Sequence, residues 1–144
     1  MRRINTDALL IGDRPVVAKA QLIYRLPYGF QLSGNLQHQT GRPWARQIRV
    51  GGLNFPSRPT IYMEPLDGSR RISSLDLIDA RVQKTFQLQG AGAALDLFID
   101  ALNLTDTDAN ENVLSRRGDQ ASSFGVASRF VYPRRLQIGA RIKF

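Results

Sequence analysis

The residues of this chain that are able to do chemistry are few, and they exclude most kinds of catalytic site. The 144 residues include no cysteine, which excludes a thiolate nucleophile, a thiolate zinc site and a disulfide scaffold. His38 is the only histidine, so there is almost no material for a histidine-rich metal centre or a Ser-His-Asp triad. We therefore expect a protein that is not an enzyme and that uses no cofactor.

Four carboxylates lie on two stretches in which polar and apolar residues alternate: Asp76, Asp79, Asp96 and Asp100. Paired carboxylates are able to act as a general acid and a general base. On strands that face a wet interior, however, carboxylates more often form ion pairs. We predict that these aspartates pair with Arg81 and Arg141.

The segment Asp106-x-Asp108-x-Asn110 imitates the start of a calcium-binding loop. In such a loop the sixth residue is glycine and the twelfth is glutamate, whereas this chain has Glu111 and Arg117 there. Asx-rich loop caps have the same composition. We favour a loop cap and keep calcium binding as the alternative.

The composition is strongly basic and rich in arginine. Lys and Arg number 20 against 12 Asp and Glu, which gives a formal charge of +8. Such an excess predicts an anionic partner, such as nucleic acid, a membrane surface or an acidic ligand. One basic and aromatic cluster is a candidate loop for contact with a ligand or lipopolysaccharide, with a solvated loop as the alternative: Arg42, Trp44, Arg46 and Arg49.

Alternation with a period of two is the dominant pattern, and it predicts five β-strands near 16–26, 29–40, 73–88, 93–104 and 134–144. A change of phase predicts a bulge near Leu77. Only Ala109 to Ser115 has a composition suited to a short helix or turn. The apolar face of the strands includes Leu22, Leu32, Leu36, Val82, Leu97 and Ile138. The opposite face includes Gln31, Asn35, Arg81, Asp96, Asp100 and Arg141.

Short and long connections alternate between these strands. Residues 27–29 and 89–92 form tight turns, whereas residues 40–72 and 105–133 form long connections. This order is typical of an up-and-down transmembrane barrel with short periplasmic turns and long extracellular loops. Five aromatic residues fall at the short-turn end, as expected at a membrane interface: Tyr24, Tyr28, Phe30, Phe86 and Phe144.

The predicted fold class is therefore all-β, an antiparallel up-and-down transmembrane β-barrel segment. Five strands make an incomplete barrel, because the smallest membrane barrels need eight. The last strand carries Gln137, Gly139, Ile142 and the terminal Phe144 in the pattern polar, x, Gly, x, x, hydrophobic, x, hydrophobic. This pattern resembles the assembly signal of outer-membrane barrels, and the resemblance implies the barrel assembly machinery as a partner.

The chain as a whole resembles the end of a TonB-dependent receptor barrel, of the type with a carboxypeptidase-regulatory-like domain before the plug. The resembling segments are Gly12-Asp13-Arg14-Pro15, Tyr24 to Phe30, Gly41-Arg42-Pro43-Trp44, Glu64-Pro65, Gly68-Ser69-Arg70-Arg71, Leu97 to Leu104 and Pro133 to Arg141. The resemblance implies that residues 1–144 are the carboxy-terminal segment of such a receptor, without the plug domain, in the outer membrane of a Gram-negative-type bacterium. Its implied partners are outer-membrane lipid, the assembly machinery, and the rest of the barrel and plug, and not nucleic acid.

The parent protein is then expected to import scarce nutrients, such as metal chelates or oligomers, through a plugged barrel. Two alternatives stay open from the sequence. One is a small outer-membrane protein that closes its barrel by oligomerising. The other is a soluble, basic β-domain that binds nucleic acid.

Overall fold

The computed structural model describes residues 8–52, 56, 58–88, 92–114 and 124–144. The architecture is all β. Among the described residues there is no helix that is long and apolar enough to cross a bilayer. In chain order the strands are β1 (Val17–Arg25), β2 (Phe30–Gln39), β3 (Gln47–Arg49), β4 (Thr60–Tyr62), β5 (Leu75–Leu88), β6 (Ala93–Leu102), β7 (Asn110–Val113), β8 (Ala127–Phe130) and β9 (Arg135–Lys143).

The chain divides into two compact units, each built from three separate segments. The sheet unit contains Val17–His38, Leu75–Asp108 and Tyr132–Phe144. The loop unit contains the described residues that precede β1, those of Gln39–Ser74 and those of Ala109–Val131.

The sheet unit is a five-stranded antiparallel sheet with the order β1-β2-β5-β6-β9. All five long strands predicted from alternation are present, with bounds within two residues of the prediction. Each strand lies beside its predecessor among the five, so the predicted antiparallel pairing in sequence order is confirmed. Because a strand shows successive side chains to opposite faces, this arrangement gives the sheet one largely apolar and one largely polar face.

The loop unit contains two short antiparallel ladders that the sequence did not predict. β3 pairs with β4, and β7 pairs with β8. The predicted short helix or turn at Ala109 to Ser115 is wrong, because β7 occupies Asn110–Val113. A strand of four residues is too short to show a period. The buried apolar residues of this unit form a small core: Ala45, Leu66, Ile72, Ala109 and Val113.

The β5–β6 ladder is irregular near the predicted bulge. Ala80 pairs with Ala101, yet the amide of Leu104 donates to the carbonyl of Ile78 at 2.7 Å, one residue out of that register. The shift follows Asn103, whose φ of 50° lies in the left-handed region that asparagine tolerates. The observed shift arises at Asn103, after the end of β6, and the β5–β6 register begins at Ala80, so the bulge near Leu77 stays a prediction.

Asn103 is the buried polar centre of this junction. Its Nδ2 donates to the carbonyls of Thr107 and Tyr132, both at 2.9 Å, and its Oδ1 accepts from the amide of Thr107 at 2.9 Å. Its own amide donates to Oδ1 of Asp79 at 2.9 Å. Asn103 thus joins the end of β6 to β5 through its backbone amide, and to the segment that leads into β9 through its side chain.

We expect Asn103→Ala to lower the free energy of unfolding by about 3 kcal/mol, because it removes the three hydrogen bonds that the buried amide side chain makes to Thr107 and Tyr132. The measurement is urea unfolding of the full chain refolded in detergent. Asn35→Ala is the matched control, since the Nδ2 of Asn35 makes one long bond, 3.4 Å, to Asp79. A loss at Asn103 no larger than the loss at Asn35 would contradict this role.

Candidate functional site

The distribution of polarity in the sheet unit is the reverse of that in a soluble domain. Large apolar side chains are exposed, including Leu22 (65%) and Ile138 (84%). The buried residues include charged ones, namely Asp96 (1%) and Asp100 (7%). A buried carboxylate is costly unless it is paired, whereas apolar surface is normally the part removed from water. The candidate site is therefore the sheet itself, with its two chemically opposite faces.

Strand register assigns the residues to these faces, because directly opposed residues of paired strands share a face. Val82 lies opposite Ile99, which lies opposite Ile138, and this row belongs to the apolar face. Leu97 shares that face, two residues along β6. The next row belongs to the polar face and contains Arg81, Asp100 and Gln137. The predicted division of these residues is confirmed.

Ion pairs hold the buried aspartates of the polar face. Nη2 of Arg81 donates to Oδ2 of Asp100 at 2.7 Å, and Nε donates to the other carboxylate oxygen. This pair was predicted. Asp96 accepts a hydrogen bond from the hydroxyl of Thr85 at 2.7 Å and pairs with Nζ of Lys143 at 2.7 Å.

The predicted pairing of an aspartate with Arg141 is wrong. Arg141 lies directly opposite Asp96 in the ladder, but the ion pair is made by Lys143, two residues further along β9. Residues on one face that are offset by two positions are within reach of a long side chain. The sequence pattern gives the face of a residue, but it does not choose between two cations on that face.

The carboxylates of Asp76 and Asp106 have partners on other segments of the sheet unit. Oδ1 of Asp76 contacts Nδ1 of His38 at 2.6 Å. Asp106 has a left-handed φ of 55°, and its Oδ1 accepts from the amide of Arg134, in the segment before β9, at 2.8 Å. In the described part of the chain, no three His, Asp or Glu side chains are grouped so as to hold a metal ion.

One charged residue, Lys84, lies on the apolar face. It is opposite Leu97, and its ammonium group reaches the carbonyl of Tyr28 and lies 4.3 Å from the ring centroid of Phe30. A lysine on an apolar surface extends its stem along that surface and carries its charge to the polar boundary. The ammonium therefore marks the short-turn end of the sheet.

The predicted aromatic residues lie at this same end. Tyr28 and Gly29 form the turn between β1 and β2 with φ of 62° and 78°. The turn is close to β5, because a Cβ on Gly29 would lie 2.6 Å from the carbonyl oxygen of Thr85. The aromatic side chains exposed at this end are Tyr24, Tyr28, Phe30, Phe86 and Phe144.

The four residues that resemble an assembly signal lie on both faces of the last strand. Gln137 is opposite Asp100 on the polar face, and Ile142 is opposite Leu95 on the apolar face. Phe144 is fully exposed at the chain terminus. The fourth residue, Gly139, is opposite Phe98.

Phe98 explains why position 139 is a glycine. A Cβ on Gly139 would overlap the ring of Phe98, which covers the glycine backbone. The guanidinium carbon of Arg81 lies 4.5 Å from the centroid of the same ring. An aromatic ring packed over a glycine on the neighbouring strand helps to set register. Sequence reasoning missed Phe98 because its partner is 41 positions away in the chain.

The candidate ligand-contact residues have different surroundings in the loop unit. Trp44 packs against Phe124, with ring centroids 5.5 Å apart. The guanidinium carbon of Arg46 lies 4.7 Å from the centroid of Phe124. Arg42 instead donates hydrogen bonds to β7, and Arg49 is exposed on β3. The structure brings Trp44 and Arg46 together and leaves Arg49 apart.

Acidic groups of the loop unit also have local partners. Oε1 of Glu64 accepts from the amide of Arg46 at 2.9 Å and lies 3.2 Å from Nε of Arg70. The amide of Ser69 donates to Asp67 at 2.9 Å, and this bond lowers the pKa of the Asp67 carboxyl group. These contacts fix the conformation of the loops.

We expect Gly139→Ala to destabilise the sheet by about 1 to 3 kcal/mol, because the new methyl group displaces the ring of Phe98. Urea unfolding of the refolded chain measures this loss. Gly34→Ala is the matched control, since the nearest atom to a Cβ there is the carbonyl oxygen of Asp79 at an ordinary 3.7 Å. In a Phe98→Ala background, Gly139→Ala should cost much less. If Gly139→Ala lowers the free energy of unfolding equally in that background, the packing of Phe98 over Gly139 is not the cause of the loss.

Comparison with known proteins adds no relative: no protein-family model, no curated protein and no solved structure matches this chain.

Proposed function

We propose that this chain is the carboxy-terminal part of a TonB-dependent outer-membrane receptor, and that the sheet unit is a segment of its transmembrane barrel. The observation that carries the proposal is the reversed polarity of the sheet. Its exposed face is apolar and its polar face holds buried, paired charges. This is the pattern of a barrel wall, with lipid outside and a wet lumen inside.

The apolar face of the sheet is more stable in contact with lipid than in contact with water. Burying apolar surface is worth about 25 cal/mol per Å². In water, the exposed surfaces of residues such as Leu22, Leu136 and Ile138 forgo this stabilisation. In contact with acyl chains these surfaces are removed from water, so the sheet needs no second apolar layer.

Strand dimensions support the same reading. β1, β2, β6 and β9 have 9 or 10 residues, and β5 has 14. A tilted strand needs about 9 to 11 residues to cross the hydrocarbon core. Along β2, the distance from Phe30 to His38 is about 26 Å at the usual rise per residue. At a tilt of about 45° this length rises about 19 Å along the membrane normal, which covers most of the apolar band of roughly 25 Å on membrane barrels.

The loop unit has the opposite organisation, which is suited to water. Its buried residues are apolar, among them Ala45, Leu66 and Ile72. In the proposed receptor, its segments are the long extracellular loops. The parent protein imports a scarce nutrient, such as a metal chelate or an oligomer, and this chain contributes strands, outer loops and the assembly signal. It has no enzymatic role.

Strand direction argues against closure of the barrel by copies of this chain. Successive strands of the sheet are antiparallel, so the first and fifth, β1 and β9, run in the same direction. Copies inserted with a common orientation would therefore meet in parallel seams, unlike the antiparallel pairing of membrane barrels. When an odd number of further strands lies between β9 and β1, both of these edge strands have antiparallel neighbours. The rest of a receptor barrel meets that requirement.

The composition of the buried set argues against a soluble domain that binds nucleic acid. Among the described residues of the sheet unit, the buried ones are Ala93, Asp96, Asp100 and Asn103. A sheet that folds in water needs an apolar layer in place of this set. Three of the basic residues of the polar and apolar faces, Arg81, Lys84 and Lys143, already have partners within the sheet.

The location of the apolar face is tested with adjacent residues of β9. The chain has no cysteine, so Ile138→Cys and Gln137→Cys each carry a single thiol for a fluorescent label. In vesicles that contain brominated lipid, we expect quenching of the label at position 138 to exceed that at position 137 at least twofold. The neighbouring position is the internal control. Equal quenching at both positions, or none, would overturn the proposal.

The assembly role of the terminal aromatic residue is tested in Gram-negative cells that express the chain. We expect Phe144→Asp to reduce protease-protected protein in outer-membrane fractions more than tenfold. A charge at the interface costs only about 1 kcal/mol, so a loss of this size indicates failed recognition.

The matched control is Phe130→Asp, because Phe130 is exposed on β8 in the loop unit, whereas Phe124 packs against Trp44. We expect Phe130→Asp to retain most of the protected protein. Equal losses in the two variants would refute the assembly signal and leave the lipid-facing role of the sheet untouched.

A further inference from the structure

A small cleft lies within the loop unit, and Trp44, which packs against Phe124, is one of its lining residues. Its volume is about 170 Å³. Buried apolar residues contribute Leu66, Ile72 and Val113 to its lining, and two aromatic residues, Trp44 and Tyr62, also line it. Drug-sized ligands usually occupy pockets of roughly 300 Å³ or more, so this cleft suits a ligand of a single ring.

Arg42 supplies the charge of the cleft. Its Nη2 donates to the carbonyl of Glu111 at 2.9 Å and to Oδ1 of Asn112 at 3.0 Å. Both acceptors are neutral. The carboxylate of Glu111 is instead paired with Arg129 at 2.7 Å. Within the described ranges, no carboxylate pairs with Arg42, so its guanidinium remains an uncompensated positive charge.

Two other arginines of the loop unit are neutralised by carboxylates. Arg70 is paired with Glu64 at 3.2 Å, and Arg71 is paired with Asp13 at 2.7 Å. Arg42 therefore combines two properties that matter for binding, because it lines a cleft and its charge is not neutralised. A guanidinium presents a planar fork of donors that matches a carboxylate.

We propose that this cleft binds a small aromatic carboxylate, with the ring against the apolar and aromatic lining and the carboxylate on Arg42. The apolar lining is suited to contact with an aromatic ring, and the guanidinium of Arg42, which no carboxylate neutralises, is suited to pairing with an acid group. The cleft belongs to the loop unit alone. The inference therefore stands independently of the membrane location proposed for the sheet.

Trp44 is the only tryptophan of the chain, so its fluorescence reports directly on the cleft. The full chain, refolded in detergent micelles, is titrated with benzoate, with benzyl alcohol and with glucuronate. We expect saturable quenching by benzoate, with an affinity at least tenfold higher than for either other compound. Benzyl alcohol has the ring without the charge, and glucuronate has the charge on a sugar ring.

Arg42→Gln is expected to weaken benzoate binding about tenfold, because it removes a charge-assisted hydrogen bond. Arg42→Lys, which keeps the charge, should restore part of this loss. The matched control is Arg58→Gln, since Arg58 is an exposed arginine of the loop unit that does not line the cleft. We expect its affinity for benzoate to stay within twofold of the unchanged chain.

Three results would overturn the inference: no saturable quenching by benzoate, equal affinity for benzyl alcohol, or equal or tighter binding of glucuronate. The comparison of ligands uses the unchanged chain, so it remains decisive if Arg42→Gln fails to fold. Lipid quenching at position 138 is measured separately. Failure of benzoate binding is thus distinguishable from failure of the proposed membrane location.

Discussion

The burial of the Asp96 carboxylate is the constraint on which the sheet unit depends. Its side chain is almost completely withdrawn from solvent, and it is held by Lys143 on one neighbouring strand and by Thr85 on the other. An unpaired charge in that place would be strongly destabilising, so the three strands β5, β6 and β9 must meet in one register. Because successive side chains of a strand point to opposite faces, the apolar residues that alternate with these polar groups lie on the other face of the sheet.

The two units of the chain bury opposite kinds of side chain. The loop unit buries small and branched apolar residues such as Ala45 and Ile72, as a domain in water does. The sheet unit exposes residues of the same kind and buries charge. Composition averages over both units, which is why the mean hydropathy of the chain, −0.26, resembles that of an ordinary soluble protein.

Features that depend on neighbours in sequence could be predicted, whereas features that depend on distant partners could not. The alternation over nine or more residues located the long strands and assigned Val82 and Arg81 to opposite faces. The four-residue strand β7 gave no such signal. The choice of Lys143 over Arg141 as partner of Asp96 depends on side-chain reach across the ladder. The separation of Arg42 from Arg46 likewise depends on β7 and Phe124, which are far along the chain.

The joint between Phe98 and Gly139 has a consequence for the order of events in assembly. The space above the glycine backbone is open only while β9 is unpaired, because the ring of Phe98 fills it once β6 and β9 have met. Under the proposed assembly role, a factor that binds β9 at Gly139 has to act before β9 pairs with β6. Once the two strands pair, the ring of Phe98 covers the glycine and closes that binding position.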